Sequence, residues 1–319
     1  MGTFIIRRLL TAIPTLIAIS VILFTIINLA PGDPLASFAA DPRVPEAVKE
    51  NIRKQLGLSD PGPIRYIKWA KSMAVGDWGN SFQSRSPVSD LIKQRAWVSI
   101  KVLGLSLLLA ILVAVPIGIL SAIKQYSAFD QIATFFAYLG NALPTFVIGI
   151  LLILVFGVRL RWFPFIFRTN IEQTGINGVG ENIRQLVLPV TVLAFFEMAA
   201  LMRYTRAAML EVIKQDYVRT ARAKGLAESR VLITHAVRNA LIPVSTIIGL
   251  RIPGVFGGAI VTETIFRIPG TGSLFISAFS NKDVPVLMAL TFLSAVLVVV
   301  FNLLVDVLYG VLDPRIKYT

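Results

Sequence analysis

The sequence predicts an all-α membrane protein of six transmembrane helices, and three observations carry that prediction. Of 319 residues, 55% are hydrophobic and only 15% are charged, where an ordinary soluble domain carries about 25% charged residues. The apolar residues gather into six runs long enough to cross a bilayer. The basic residues fall between those runs and not on one soluble face. That placement sets nucleic acid aside as the partner of a chain with net charge +13, because a nucleic-acid footprint clusters its bases on one surface. The lipid bilayer is the partner the composition names. Cysteine is absent, which removes disulfide and thiolate chemistry.

The first run, Leu9–Ala30, follows Arg7 and Arg8 and stays apolar for 22 residues, about 33 Å of helix at 1.5 Å per residue. A secretory signal has a shorter apolar core and a small-residue cleavage site. This run meets the turn-like Ala30-Pro31-Gly32-Asp33 instead, and reads as an uncleaved helix with its N-terminus in the cytoplasm. Five further spans follow at roughly 98–121, 131–157, 186–208, 243–264 and 286–309. Six crossings return the C-terminus to the cytoplasm. The intervening charges agree: thirteen bases fall on the inner side against six in the two short outer loops, as the positive-inside bias requires.

Between the first two spans, residues 31–97 read as a small folded extracytoplasmic helical insertion. Pro45 suits the start of a helix carrying Val48, Ile52 and Leu56. Ile64, Ile67, Trp69 and Met73 mark a second short helix, Gly76-Asp77-Trp78-Gly79-Asn80 a turn, and Val88–Arg95 a third helix. Several spans are interrupted. Pro14, Pro116, Pro144 and Pro253 fall within or near apolar runs, and Gly249, Gly254, Gly257 and Gly258 crowd the fifth. Such breakers survive in a membrane where neighbouring helices or a cavity satisfy the freed backbone, so together they favour a moving or cavity-lining bundle.

The chemistry expected of an enzyme is missing. No G-x-x-x-x-G-K-[S/T] loop occurs, so the chain is not expected to hydrolyse nucleotide itself. The single histidine, His235, lies in a charged stretch outside the spans and reads as a polar surface residue. Four ionisable residues do lie in or beside spans: Glu197, Arg251, Glu263 and Asp306. A charge at bilayer depth costs ~2.5–3.5 kcal/mol on insertion scales, so these groups face a cavity or each other. A Glu197–Arg251 pair between the fourth and fifth spans and a Glu197 lining a substrate path are both open readings. Glu263 is expected near the outer interface and Asp306 near the inner one, in a capping or structural role.

The most informative stretch is 209–242, between the fourth and fifth spans. Eight Lys or Arg lie between Arg203 and Arg238 against three acids. Alanine-rich sequence favours helix, and Gly225 permits a sharp bend between two short helices. A chain that merely crosses needs only a short connection there; this one presents a basic folded surface suited to a docking partner with an acidic rim.

The whole chain resembles the integral membrane permease subunits of ABC importers, specifically the dipeptide, oligopeptide and nickel branch. The resemblance runs from Leu29-Ala30-Pro31-Gly32-Asp33-Pro34 through Gly76-Asp77-Trp78-Gly79-Asn80-Ser81 and Trp162-Phe163-Pro164. It continues in Tyr217-Val218-Arg219-Thr220-Ala221-Arg222-Ala223-Lys224-Gly225-Leu226 and His235-Ala236-Val237-Arg238-Asn239-Ala240. Thr262-Glu263-Thr264-Ile265-Phe266, Pro269-Gly270-Thr271-Gly272 and Asp313-Pro314-Arg315 complete it. The resemblance implies one permease domain over 1–319, without a catalytic site, in a bacterial or archaeal plasma membrane. It implies a second homologous permease subunit, two cytoplasmic ATPase subunits that hold the ATP and Mg, and an extracytoplasmic solute-binding protein. Residues 209–242 would then be the coupling segment, with Arg219, Thr220, Ala221, Arg222, Lys224, Gly225 and Leu226 as ATPase-coupling residues; Glu197, Arg251 and Glu263 remain the candidate pathway or intramembrane charges. In the family's E-A-A-x-x-x-G motif, Arg219, Thr220 and Ala221 hold the E-A-A positions, so the acid is absent; proline, expected thirteen residues after the glycine, comes only at Pro243. The cargo implied is peptide, with nickel chelates, glutathione or oligosaccharides as alternatives. Two readings come from other classes: an ion-coupled secondary transporter, which would show inverted repeats of broken helices that the sequence does not display, and a non-transporting membrane scaffold, which would tolerate joint neutralisation of Glu197 and Arg251.

Overall fold

The computed structural model describes residues 2–29, 60–169 and 175–312, with positions 45 and 50 besides. Among them the only extended pairing is a single bridge between Asn80 and Pro87; the rest is helix and connection. In chain order the helices are α1 (Gly2–Leu29), α2 (Gly62–Ala74), α3 (Val88–Ile123), α4 (Ala128–Ala142) and α5 (Thr145–Leu152). A π-helical stretch, Ile153–Arg159, extends α5. Then come α6 (Gly175–Ile213), α7 (Asp216–Ala223), α8 (Arg238–Gly257), α9 (Ile260–Ile265), α10 (Thr271–Ser280) and α11 (Val284–Leu312). Among the described residues five helices are long and apolar enough to cross a membrane, and six spans result when the bent pair α4 and α5 counts as one. The chain is a multi-pass, all-α membrane protein.

Several of the sequence boundaries move, and prolines or a glycine account for three of the shifts. The second span begins at Val88, not near residue 98, and absorbs the short helix expected over Val88–Arg95. Pro87 precedes it with φ −55° and ψ 131°; nothing between Arg95 and Val98 stops a helix once started. The third span is two helices bent by 104°. Leu143 is extended (ψ 128°), as a residue before proline prefers, and Pro144 (ψ 138°) opens α5. Pro14, Pro116 and Pro253 sit inside helices that continue past them. The fifth span ends at Gly258, whose φ of +80° is accessible to glycine and strained for other residues. The helix expected around Val48, Ile52 and Leu56 lies outside the described residues.

Helices α3 and α6 pack against each other along most of their lengths and form the centre of the bundle. Their approach requires Gly118: a Cβ there would stand 2.8 Å from the Met202 carbonyl and 2.8 Å from Thr205 Cβ. Helix α8 lies against α3, α6 and α11, and α1 lies outside on α11. The outward face of α1 leaves Leu10, Ile13, Ile22 and Ile26 exposed, as a surface solvated by lipid should be. At one end of the bundle α2 and the 76–87 turn pack on α10 and α11 through Met73, Val88, Ile92, Ala278 and Val286, with Trp69 and Trp78 against them. Asp283, buried, ties that end together by accepting hydrogen bonds from Ser81 Oγ and from the Phe82 amide at 3.0 Å. The opposite end carries α7.

Candidate functional site

The basic stretch between α6 and α8 folds into a compact hairpin. Helix α7 is eight residues long and shows two faces. Val218 and Ala221 are buried against Val231, with Val212 and Leu226 beside them; Tyr217, Arg219, Thr220, Ala223 and Lys224 are exposed. The Thr220 hydroxyl donates back to the Asp216 carbonyl at 2.8 Å, and Arg219 meets Asp216 at 3.5 Å on the open surface. Lys224 caps the helix through its amide to the Thr220 carbonyl, and Gly225 follows with φ +76°. A Cβ on Gly225 would meet no atom within 4 Å; glycine is required there by torsion and not by space. Arg222 closes the hairpin through two nitrogens on the Glu228 carboxylate, at 2.7 and 3.1 Å.

The motif departures now have a structural account. Arg219 and Thr220, which replace the acid and the first alanine, are exposed, so no neighbour in this chain constrains their size. Ala221, which matches the second alanine, is 5% exposed and pressed into the hairpin. After the turn, Glu228–Arg230 and the π-helical stretch Val231–Val237 lead into α8. The π stretch sets the facing: Val231 and Ala236, five residues apart, are both buried, and Ala240 follows at an ordinary helical step. An α-helix would turn one of them outward. His235 lies in this stretch, half-buried.

An open cavity of about 730 Å³ lies along the side of the bundle between α3, α4, α6 and α8. Both helix interruptions border it: Ala142–Thr145 on one side and Gly258–Thr262 on the other. Irregular backbone at membrane depth is tolerated where it lines such a space. Glu197 and Arg251 both line this cavity and pair with each other at 3.2 Å, as the first of the two open readings has it. Asn141, Thr145 and Thr262 add polar groups, and Leu107, Phe196 and Val255 apolar ones.

Glu263, grouped with them in the sequence, takes a different place. It is 1% exposed and accepts hydrogen bonds from Ser99 Oγ at 2.7 Å and from the Ala259 and Ser273 amides at 3.2 and 2.8 Å. Ser99 in turn accepts from the Thr271 amide at 2.8 Å. Gly270 is what permits this closeness, since a Cβ there would collide with the Glu263 carboxylate and the Ser99 hydroxyl. The group pins α3, α9 and α10 together and has no face on the cavity. Asp306 pairs with Arg8 of α1 at 3.1 Å.

One cluster escaped sequence reasoning. Asp130, at the start of α4 and 2% exposed, accepts from Arg206 Nε and Nη2, both at 2.7 Å. It also accepts from Ser121 Oγ and the Tyr126 amide. With its carboxylate saturated, this pair locks the α3–α4 turn to α6 next to the basic hairpin. Arg206 was counted among the bases of the loop; its partner lies 76 positions away, beyond any local pattern.

An all-α membrane bundle with interrupted helices beside a charged open cavity carries a basic hairpin at one end. The chain belongs to the family described as "Binding-protein-dependent transport system inner membrane component", matched over residues 114–318, and its first 103 residues match that family's N-terminal part. It is similar to the oligopeptide transport system permease protein AppB of Bacillus subtilis (strain 168), with 45% identity over 320 residues and 100% of each chain covered. The probable peptide ABC transporter permease protein y4tP of Sinorhizobium fredii is 38% identical, again over the whole of both chains. The dipeptide transport system permease protein DppB of Alkalihalophilus pseudofirmus is 37% identical over 98% of each.

Proposed function

We propose that this chain is the transmembrane subunit of an ATP-driven importer of peptides and forms half of its translocation pathway. The observation that carries the reading is the basic hairpin of residues 209–242: a rigid, outward-facing element on a chain that matches peptide transport permeases over its full length. A second homologous permease subunit closes the pathway from the other side. Two ATPase subunits bind the hairpin in the cytoplasm, and a solute-binding protein delivers cargo on the extracytoplasmic side, above the 31–97 insertion. The chain has no catalytic role; nucleotide and Mg belong to the ATPases.

The mechanics follow from the geometry. When the ATPases close on ATP they carry the exposed side of α7, Arg219, Thr220, Arg222, Lys224 and the Gly225 turn, with them. The buried side, Val218 and Ala221 on Val231, passes that displacement into the π stretch and α8. Leu226 and the Arg222–Glu228 bridge keep the hairpin from absorbing it. Helix α8 carries Arg251 on the cavity wall, so motion at the hairpin reaches the pathway along one continuous helical run.

Reconstitution tests this reading. Proteoliposomes holding the chain with its partner permease, ATPases and peptide-loaded binding protein are expected to accumulate peptide only with ATP. Peptide uptake driven by an ion gradient without ATPase subunits would overturn it.

A further inference from the structure

We propose that Glu197 and Arg251 form a binding site for the two charged ends of the cargo, which makes the transported species a short peptide with free termini. The proposal rests on the peptide reading above and adds what the pathway recognises.

Two ion pairs of this molecule are built differently. Asp130–Arg206 is built as a structural pair: its side chains are 3% and 24% exposed, it is bidentate, and two further donors complete the carboxylate. Glu197–Arg251 is built otherwise. Its side chains are 28% and 39% exposed, and one guanidinium nitrogen, Nη1, meets both carboxylate oxygens at 3.2 and 3.4 Å. Among the described residues neither side chain has another hydrogen-bond partner. A guanidinium carries five N–H donors and a carboxylate about four acceptor sites, so most of their capacity points into the cavity. An ion pair serving only stability gains little over well-packed apolar residues. Capacity left open toward a cavity is capacity for a ligand.

The cavity limits which ligand. It offers one negative and one positive group side by side, so a ligand of net charge zero bearing both charges leaves the site neutral. Asn141, Thr145 and Thr262 can meet amide groups, while Leu107, Phe196 and Val255 present apolar wall to side chains of varied shape. At about 3.3–3.6 Å per residue, a dipeptide spans about 7 Å. Its ends therefore cannot both reach a closed pair from one side. The ligand opens the pair, its ammonium replacing Arg251 on Glu197 and its carboxylate replacing Glu197 on Arg251. Each charge exchanges one partner for another and none is left bare, which allows both entry and release.

The test uses the assembled transporter in proteoliposomes with loaded binding protein and the probe Ala-Ala-Ala. Glu197→Gln and Arg251→Gln are each expected to lower uptake about tenfold, and the double variant to fall at least as far, measured per assembled transporter. A structural pair behaves in the opposite sense: a single variant strands an unpaired charge and the double variant relieves it, so recovery of uptake in the double variant would overturn the proposal. So would a rise in peptide-independent ATPase activity, which marks a gating contact. A second arm compares Ala-Ala-Ala with its C-terminal amide, counted per molecule of loaded binding protein. The wild type is expected to favour the free carboxylate, Glu197→Gln to keep that preference, and Arg251→Gln to bring the two within about twofold. Equal uptake of both by the wild type, or an unchanged preference in Arg251→Gln, counts against it. If the wild type carries no peptide at all, the peptide reading itself fails; if it does and the double variant recovers, only the ion-pair inference fails.

Discussion

Gly225 and Gly270 show two different demands for glycine in one chain. At Gly225 the demand is the left-handed backbone, with φ +76° and open space around the missing side chain. A non-glycine residue held there costs about 1–2 kcal/mol, most for β-branched residues and least for asparagine. Gly225→Val is therefore expected to depopulate the hairpin geometry by roughly 5–30-fold and reduce ATP-driven uptake accordingly, while membrane insertion is kept. Gly225→Asn should retain most uptake, and equal loss in both variants would count against the torsional account. At Gly270 the demand is steric, set by the Glu263 carboxylate and Ser99 hydroxyl. Glu263→Gln turns one acceptor into a donor facing backbone amides that themselves donate. That change should destabilise the fold by about 1–3 kcal/mol, visible as a lower melting temperature of the purified chain in detergent. Unchanged melting would remove Glu263 from its pinning role.

At the scale of elements, α7 separates what holds it from what it offers. Val218 and Ala221 hold it, and the exposed bases offer charge. An exposed ion pair is worth about 0.2–1 kcal/mol, so Arg219→Glu together with Lys224→Glu is expected to weaken capture of the ATPase subunits by roughly tenfold, mainly through the association rate. Binding of purified ATPase to the reconstituted permease measures this, and the loss should shrink at higher salt. A loss independent of salt would mean the hairpin had been deformed and not merely recharged. The elements also show what a sequence makes legible. Six apolar runs, the Gly76–Gly79 turn and the basic hairpin were all visible, because composition and local turn chemistry decide them. Pro144 was visible as a breaker, but Pro116 and Pro253 looked the same and leave their helices continuous. The difference is position: Pro61, Pro87 and Pro144 precede helices that start at them, and an apolar run does not reveal where a helix restarts. Asp130–Arg206 and Ser99–Glu263 join positions 76 and 164 residues apart, pairings that only the assembled bundle brings together.

At the scale of the whole molecule, the ends of the bundle differ in what they carry, and that difference predicts which faces which compartment. The end with α7 also holds Arg8, Lys124, Arg206 and the N-terminal side of α8, while the opposite end holds α2, the 76–87 turn and α10. By the positive-inside bias, thirteen bases in the termini and connections on one side against six in the two short loops on the other predict that the α7 end faces the cytoplasm. The chain contains no cysteine, so single introduced thiols report orientation without background. Ser84 lies exposed in the turn at one end, and Ser229 lies exposed in the hairpin at the other. With a membrane-impermeant maleimide on intact cells, Ser84→Cys should label at once, and Ser229→Cys only after the membrane is opened. Binding of the ATPase subunits should then slow the labelling of Ser229→Cys, if the hairpin is their docking surface as proposed above, and leave Ser84→Cys unaffected. The reverse pattern on intact cells would invert the topology, placing the basic hairpin outside and out of reach of any ATPase. Correct labelling without protection by the ATPases would keep the orientation and move the docking site elsewhere on the cytoplasmic end.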